Sequence, residues 1–145
     1  MYKHLLIATD GSELAQKAVD HGLAFAKALN AKATVITVTE PWMVVAVPEA
    51  PTVFPPADYE ESAAAGAAKI LIGASEAAKK IGTACETLHV KDRYPGEGIV
   101  ETAKENGCDL IVMASHGRRG FRRLILGSVA NEVVTHSNIP VLIYR

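Results

Sequence analysis

Cysteine is scarce in this chain: Cys85 and Cys108 are the whole supply, and they form neither a CxxC pair nor a cluster with metal-ligand spacing. That excludes a disulfide scaffold, and two isolated thiols suit a reducing compartment. Long apolar runs are missing too. None approaches the roughly 20 residues of a membrane helix. The run from Leu5 to Ala8 behind Met1-Tyr2-Lys3-His4 is too short for the apolar region of a signal peptide. A cytoplasmic protein with no membrane partner is the expectation. Nor does one sign of charge prevail, because the formal net charge is -1. The chain therefore offers no overall field for nucleic acid, and none is expected as a partner.

Several signatures of catalysis are absent as well. There is no GxxxxGK[ST] phosphate loop, no GxGxxG dinucleotide fingerprint and no GxSxG nucleophile elbow. The histidines His4, His21, His89, His116 and His136 pair with no other histidine, cysteine or carboxylate at ligand spacing within one element. The case for an efficient hydrolase is weak, and slow or absent turnover is expected.

What is present is alternation. With 145 residues, 49% of them apolar, the chain suits one globular domain spanning 1–145. Short apolar runs at His4 to Thr9, Ala33 to Thr39, Thr83 to Val90, Asp109 to Ala114 and Pro140 to Tyr144 read as strands. Between them lie helical patterns at Ser12 to Leu29, Asp58 to Ile81, Pro95 to Asn106 and Ser128 to Ser137. Asn30, Gly82 and Gly107 stand where helix stops belong, each shortly before a strand. Strand, helix, strand in repetition predicts a doubly wound α/β fold with a parallel sheet and helices on both faces. Pro41, Pro48, Pro51, Pro55 and Pro56 make Glu40 to Ala57 a long loop without regular structure, of the kind that is functional or mobile.

Ligands of open parallel sheets bind beyond the carboxyl ends of the strands, so the segments that follow them are the places to search. After the first strand, Asp10 is a carboxylate that can meet a nucleotide or a phosphate-bound Mg²⁺, and equally one that fixes the turn before a helix capped by Ser12. Taken alone, Asp10 favours the turn. After the second strand, main chain around Val38 to Trp42 can face an adenine edge, while Trp42 can equally cover core. After the fourth strand comes the stretch from Ser115 to Ser128, with Gly117 and Gly120 near its start and Gly127-Ser128 opening the last helix. Free N–H groups and the helix dipole favour phosphate there, and the Ser128 hydroxyl adds a donor. Arg119 and Arg122 read as solvated charges. His116 can touch phosphate or steady the turn.

Ala114-Ser115-His116-Gly117, nine residues, then Gly127-Ser128 resembles the ATP-binding motif of the universal stress protein family, Gly-x-x-Gly, nine residues, Gly-Ser/Thr. Leu5 to Ser12, Asp109 to Met113 and Ser137 to Leu142 are similar to that family's opening strand and turn, fourth strand and closing strand. The resemblance implies a five-stranded sheet in the order 3-2-1-4-5 and a regulatory, stress-response protein that binds ATP, with Mg²⁺ held through phosphate and Asp10. It implies nucleotide contacts at Ala8, Thr9, Asp10, Val38, Met113, Ala114, Gly117, Arg118, Gly127, Ser128 and Val129. It also implies a homodimer through the closing strand, Val141 to Tyr144. One position departs from the motif: Ala114 stands for its first glycine. A negative φ there makes the exchange tolerable, whereas a positive one would cost roughly 1–2 kcal/mol. Two other classes compete: a nucleotide-free interaction module working through Glu40 to Ala57, and an adenylyl-transferring enzyme. The latter is opposed by the absence of SGGxDS and HxGH.

Overall fold

Leu5, Leu6, Ile7 and Ala8 are all buried, and they divide between two apolar clusters. Leu5 and Ile7 pack on one side of their strand and Leu6 and Ala8 on the other, as the two-residue period of a strand requires. A strand apolar on both faces belongs inside a sheet covered twice. The computed structural model, which describes residues 1–42, 56–118 and 126–145, places it there. Along the chain run β1 (His4–Ala8), α1 (Glu13–Leu29), β2 (Lys32–Val38), α2 (Pro56–Ile81), β3 (Glu86–Val90), α3 (Pro95–Glu105), β4 (Leu110–Ala114), α4 (Ser128–His136) and β5 (Val141–Tyr144). The sheet order is β3-β2-β1-β4-β5, and every pairing is parallel.

α1 and α2 cover one face, where Val19, Leu23, Ala74 and Ala78 pack on Leu5, Ile7, Val35 and Val112. α3 and α4 cover the other, where Ile99, Ala103 and Val133 pack on Leu6, Ile36, Ile111 and Met113. Each fully buried leucine or isoleucine contributes about 1.5–3 kcal/mol relative to exposure, so β1 and β4 are the firmest part of the sheet. The chain winds from β1 outward to β3, then returns to β4 beside β1 and ends at β5. The switch point therefore falls between β1 and β4.

Local signals account for the boundaries. The Ser12 hydroxyl accepts from the Ala15 N–H at 3.3 Å and starts α1. Asn30 (φ 52°), Gly82 (φ 75°) and Gly107 (φ 65°) end the first three helices in left-handed backbone. Two expectations shift. The helix expected from Asp58 begins at Pro56, whose missing N–H costs nothing in a first turn. The irregular segment therefore ends before Pro56, and residues 43–55 lie outside the described residues. The third strand begins at Glu86 instead of Thr83, because its ladder with β2 opens only at Thr34 opposite Glu86. As an edge strand it leaves Glu86, Thr87 and Leu88 exposed.

At the opposite end of the sheet from the loops discussed next, the Asp109 carboxylate accepts from the N–H groups of Lys3 (2.8 Å) and His4 (3.0 Å). This ties the start of β1 to the start of β4. Burial alone would raise the Asp109 pKa, but those N–H donors outweigh it and hold the carboxyl below its usual value.

Candidate functional site

An open cleft of about 750 Å³ lies beyond the carboxyl ends of β1, β2 and β4, on the α3/α4 side of the sheet. Its apolar lining comes from Ala8, Ile36, Ile99 and Met113, which belong to the cluster under α3 and α4. Val38, Glu40, Tyr94, Pro95 and Glu97 border it on one side, and Gly127, Ser128, Val129, Ala130 and Glu132 on the other. Thr9, Asp10, Ala114, His116, Gly117 and Arg118 close the end at the switch point. The eleven residues at which the family resemblance implies nucleotide contact all border this one cleft.

Asp10 ties the β1 turn to the β4 loop. Its Oδ1 accepts from the Ser12 N–H at 2.9 Å, and its Oδ2 accepts from the Arg118 N–H at 3.0 Å. Thr9 is buried, and its hydroxyl accepts from the Gly11 N–H at 3.1 Å. The turn-fixing role foreseen for Asp10 is real, and it is wider than a local turn, because the second partner lies in another loop.

Two glycines permit that closeness. A Cβ on Gly117 would collide with Asp10 Oδ2. A Cβ on Gly127 would lie 2.9 Å from the Ser115 carbonyl oxygen and 3.0 Å from the His116 Cα, both backbone atoms. The Gly127 N–H donates to that same carbonyl at 2.6 Å, drawing the start of α4 onto the end of β4. Gly127 then serves as N-cap of α4 in extended backbone and, being glycine, brings no side chain of its own to the helix's leading N–H groups. The positive end of the α4 dipole thus opens beside Ser128, Val129 and Ala130, all of which border the cleft.

The departure at Ala114 has a structural answer. Positive φ among the described non-glycine residues occurs only at Asn30 and Asp92, so Ala114 keeps ordinary strand backbone. Its methyl belongs to a small cluster with Ala15 and Ala18 of α1, joined by Leu14 and Tyr144. The side chain packs toward α1, on the opposite face from the Met113 side chain.

His116 sits at the cleft, with its Nδ1 3.1 Å from the Ser115 hydroxyl. Trp42 does not border it. Arg119 and Arg122 lie outside the described residues. Sequence reasoning missed the wall made by Tyr94, Pro95, Glu97 and Ile99, and also Ile36, Ala130 and Glu132. The rule that strand ends bind ligands pointed as much to the segment after β3 as to the others, and Tyr94-Pro95 is that segment. Among the described residues no group of three or more His, Cys, Asp or Glu side chains is placed to hold a metal ion. No described helix is long and apolar enough to cross a membrane.

Comparison with known proteins gives a consistent answer. Universal stress protein YxiE of Bacillus subtilis is 32% identical over 149 residues, covering 100% of each chain. The solved structure of hypothetical protein MJ0577, from Methanocaldococcus jannaschii, superposes with a TM-score of 0.83 at 28% identity, covering 99% of this chain and 96% of that one. A universal stress protein solved in complex with cAMP superposes with a TM-score of 0.69 at 30% identity, covering 99% and 97%. The sequence model of the universal stress protein family matches residues 1–145, and the chain belongs to that family.

Proposed function

We propose that this protein binds an adenine nucleotide, ATP in the first instance, in the cleft at the switch point, and that occupancy regulates the protein in a stress response. The observation that carries the reading is the start of α4. Its N-cap is a glycine with no side chain to bond the leading N–H groups, and Ser128, Val129 and Ala130 border the cleft, at the close approach of the β4 loop to Asp10 and α4 that Gly117 and Gly127 permit. That is the chemistry of a phosphate site. The apolar stretch of Ile36, Val38, Ile99 and Met113 suits a base, and the volume lies in the usual range for small-ligand clefts. A family relative was solved with cAMP, which supports adenine as the ligand class.

Mg²⁺ fits as a partner of the nucleotide more than of the protein. Asp10 already accepts two N–H bonds, yet each carboxylate oxygen keeps a lone pair. It can supply one ligand, with phosphate oxygens and water supplying the rest. Turnover is slow or absent in this reading, and the protein acts in the cytoplasm as a homodimer. β5 supports the dimer. Among the described residues it is an edge strand paired with β4 alone, and its four residues are half-buried, so a second copy can extend the sheet or cover it.

Thermal unfolding with MgATP, AMP, cAMP and GTP tests the reading. A ligand at a hundred times its dissociation constant adds about 2.7 kcal/mol, a rise of several degrees. A rise specific to adenine nucleotides is expected. No rise with any of them, on protein shown to carry no co-purified nucleotide, overturns the proposal in favour of a nucleotide-free interaction module. Phosphate release measures turnover, and sedimentation equilibrium measures the dimer.

A further inference from the structure

A second cleft of about 640 Å³ opens at the same end of the sheet, between α1 and α2, on the face opposite the first. Its charge is different in kind. Among the described residues, Lys69 and Arg118 border it with one carboxylate, Asp10, whereas the first cleft is bordered by Asp10, Glu40, Glu97 and Glu132. Asp10 is offset further, because both its oxygens accept backbone N–H bonds. Arg118 borders both clefts, but its guanidinium turns to the second. Its Nη2 lies 3.1 Å from where a Cβ on Gly11 would stand, and Gly11 borders only the second cleft.

Two glycines thin the wall that α2 gives this cleft. No described atom lies within 4 Å of the position a Cβ would take on Gly66 or Gly73, one on each side of Lys69. The Ser62 hydroxyl, one turn before Gly66, adds a polar group to the same wall. Two cations, a hydroxyl and room well beyond a bare phosphate ion describe a particular kind of guest. We propose that this second cleft binds a small organic phosphate, a phosphate ester carrying hydroxyl groups, with its phosphate between Lys69 and Arg118. The proposal stands whether or not a nucleotide fills the first cleft.

The test is an NMR titration of the full chain with ribose 5-phosphate as probe, run in parallel with inorganic phosphate. Saturable shifts are expected at the amides of Gly11, Gly66 and Lys69, weakening as salt is raised. Lys69→Glu and Gly66→Leu should each weaken binding about tenfold or more, the first by reversing a charge and the second by filling the space. Both should keep the parent's response to MgATP, since neither residue borders the first cleft; Gly66→Leu should also raise the thermal midpoint, because it replaces a helix-interior glycine with open space around it. Should Gly66→Leu fail to fold, Lys69→Glu decides. No saturable shift up to about 10 mM, where any useful affinity would show, overturns the proposal. So do shifts confined to Gly127 and Ser128, shifts that survive both variants, or inorganic phosphate binding as tightly as the ester, which would mean an anion site without an organic guest.

Discussion

Gly127→Ala isolates the close approach on which the candidate site depends. Gly127 has φ -67° and ψ 164°, which any residue adopts, so an alanine there brings no backbone strain. What it brings is a methyl 2.9 Å from a carbonyl oxygen and 3.0 Å from a Cα, where ordinary contacts begin at 3.4 Å. Neither atom is the end of a flexible side chain. The start of α4 must therefore retreat from the end of β4 by about 0.5 Å, and overpacking of this kind costs about 1–3 kcal/mol. The 2.6 Å bond from the Gly127 N–H to Ser115 lengthens with it.

The same retreat carries the leading N–H groups of α4 away from Asp10 and Gly117. Bonds from such donors to a charged phosphate are worth about 1.5–3 kcal/mol, so ATP affinity should fall roughly ten- to hundredfold. Urea unfolding reads the first effect and isothermal titration calorimetry the second. Gly73→Ala is the control. It sits in a helix with no described atom near the new methyl, and should gain about 0.5–1 kcal/mol with ATP affinity unchanged. Normal stability in Gly127→Ala would refute the packing argument. A destabilised Gly127→Ala that still binds ATP within about twofold of the parent would refute the placement of the nucleotide.

Asp10→Asn should weaken MgATP binding and cost about 1–3 kcal/mol, because an amide NH₂ cannot accept from both Ser12 and Arg118; calorimetry and urea unfolding check the pair. Ala114→Gly should gain less than about tenfold in ATP affinity and lose about 0.5–1 kcal/mol of stability, since the methyl it removes packs on α1. Asp109 is held below its unfolded pKa, so its contribution is present above about pH 4 and lost as pH falls through the folded value. The gap in urea midpoint between the parent and Asp109→Asn should accordingly be full at neutral pH and close in acid. Burial, aided by the nearby Asp109 charge, pushes the Cys108 thiol up to about 11. About one thiol in a thousand is then ionised at pH 8, so iodoacetamide should leave Cys108 unmodified in the folded protein and react once urea unfolds it.

The fold was legible because local and global signals agree along most of the chain. Asn30, Gly82 and Gly107 are helix stops by residue type, and each adopts the left-handed backbone that makes it one. Where register decides, the sequence was silent: nothing in Thr83-Ala84-Cys85 says that β2 offers no ladder until Thr34. The site divides the same way. Gly117, Gly127, Ser128 and Asp10 could be found because their residue types carry a mechanism at strand and helix ends. Tyr94 and Pro95 lie on the segment after β3 that the strand-end rule also marked, but their residue types carry no phosphate chemistry; Glu97 and Glu132 could not be found, since they reach the cleft only through the packing of α3 against α4 across a face the sequence does not display.

Asp10 shows why a bland and a functional reading need not compete. Alone in the sequence it favoured a turn, and a turn is part of what it makes, through Ser12. Its other oxygen reaches Arg118 in the β4 loop, which fixes the backbone beside Gly117 and thereby the approach of that loop to α4. The bond also fixes where the Arg118 side chain departs, toward the cleft between α1 and α2. A carboxylate at the switch point thus shapes both clefts through main-chain donors before it touches any ligand. That arrangement makes a concrete demand on a single variant: Asp10→Asn should weaken ribose 5-phosphate binding although it removes a negative charge from that cleft, because it releases the Arg118 backbone; unchanged or tighter binding would show that Asp10 does not place Arg118.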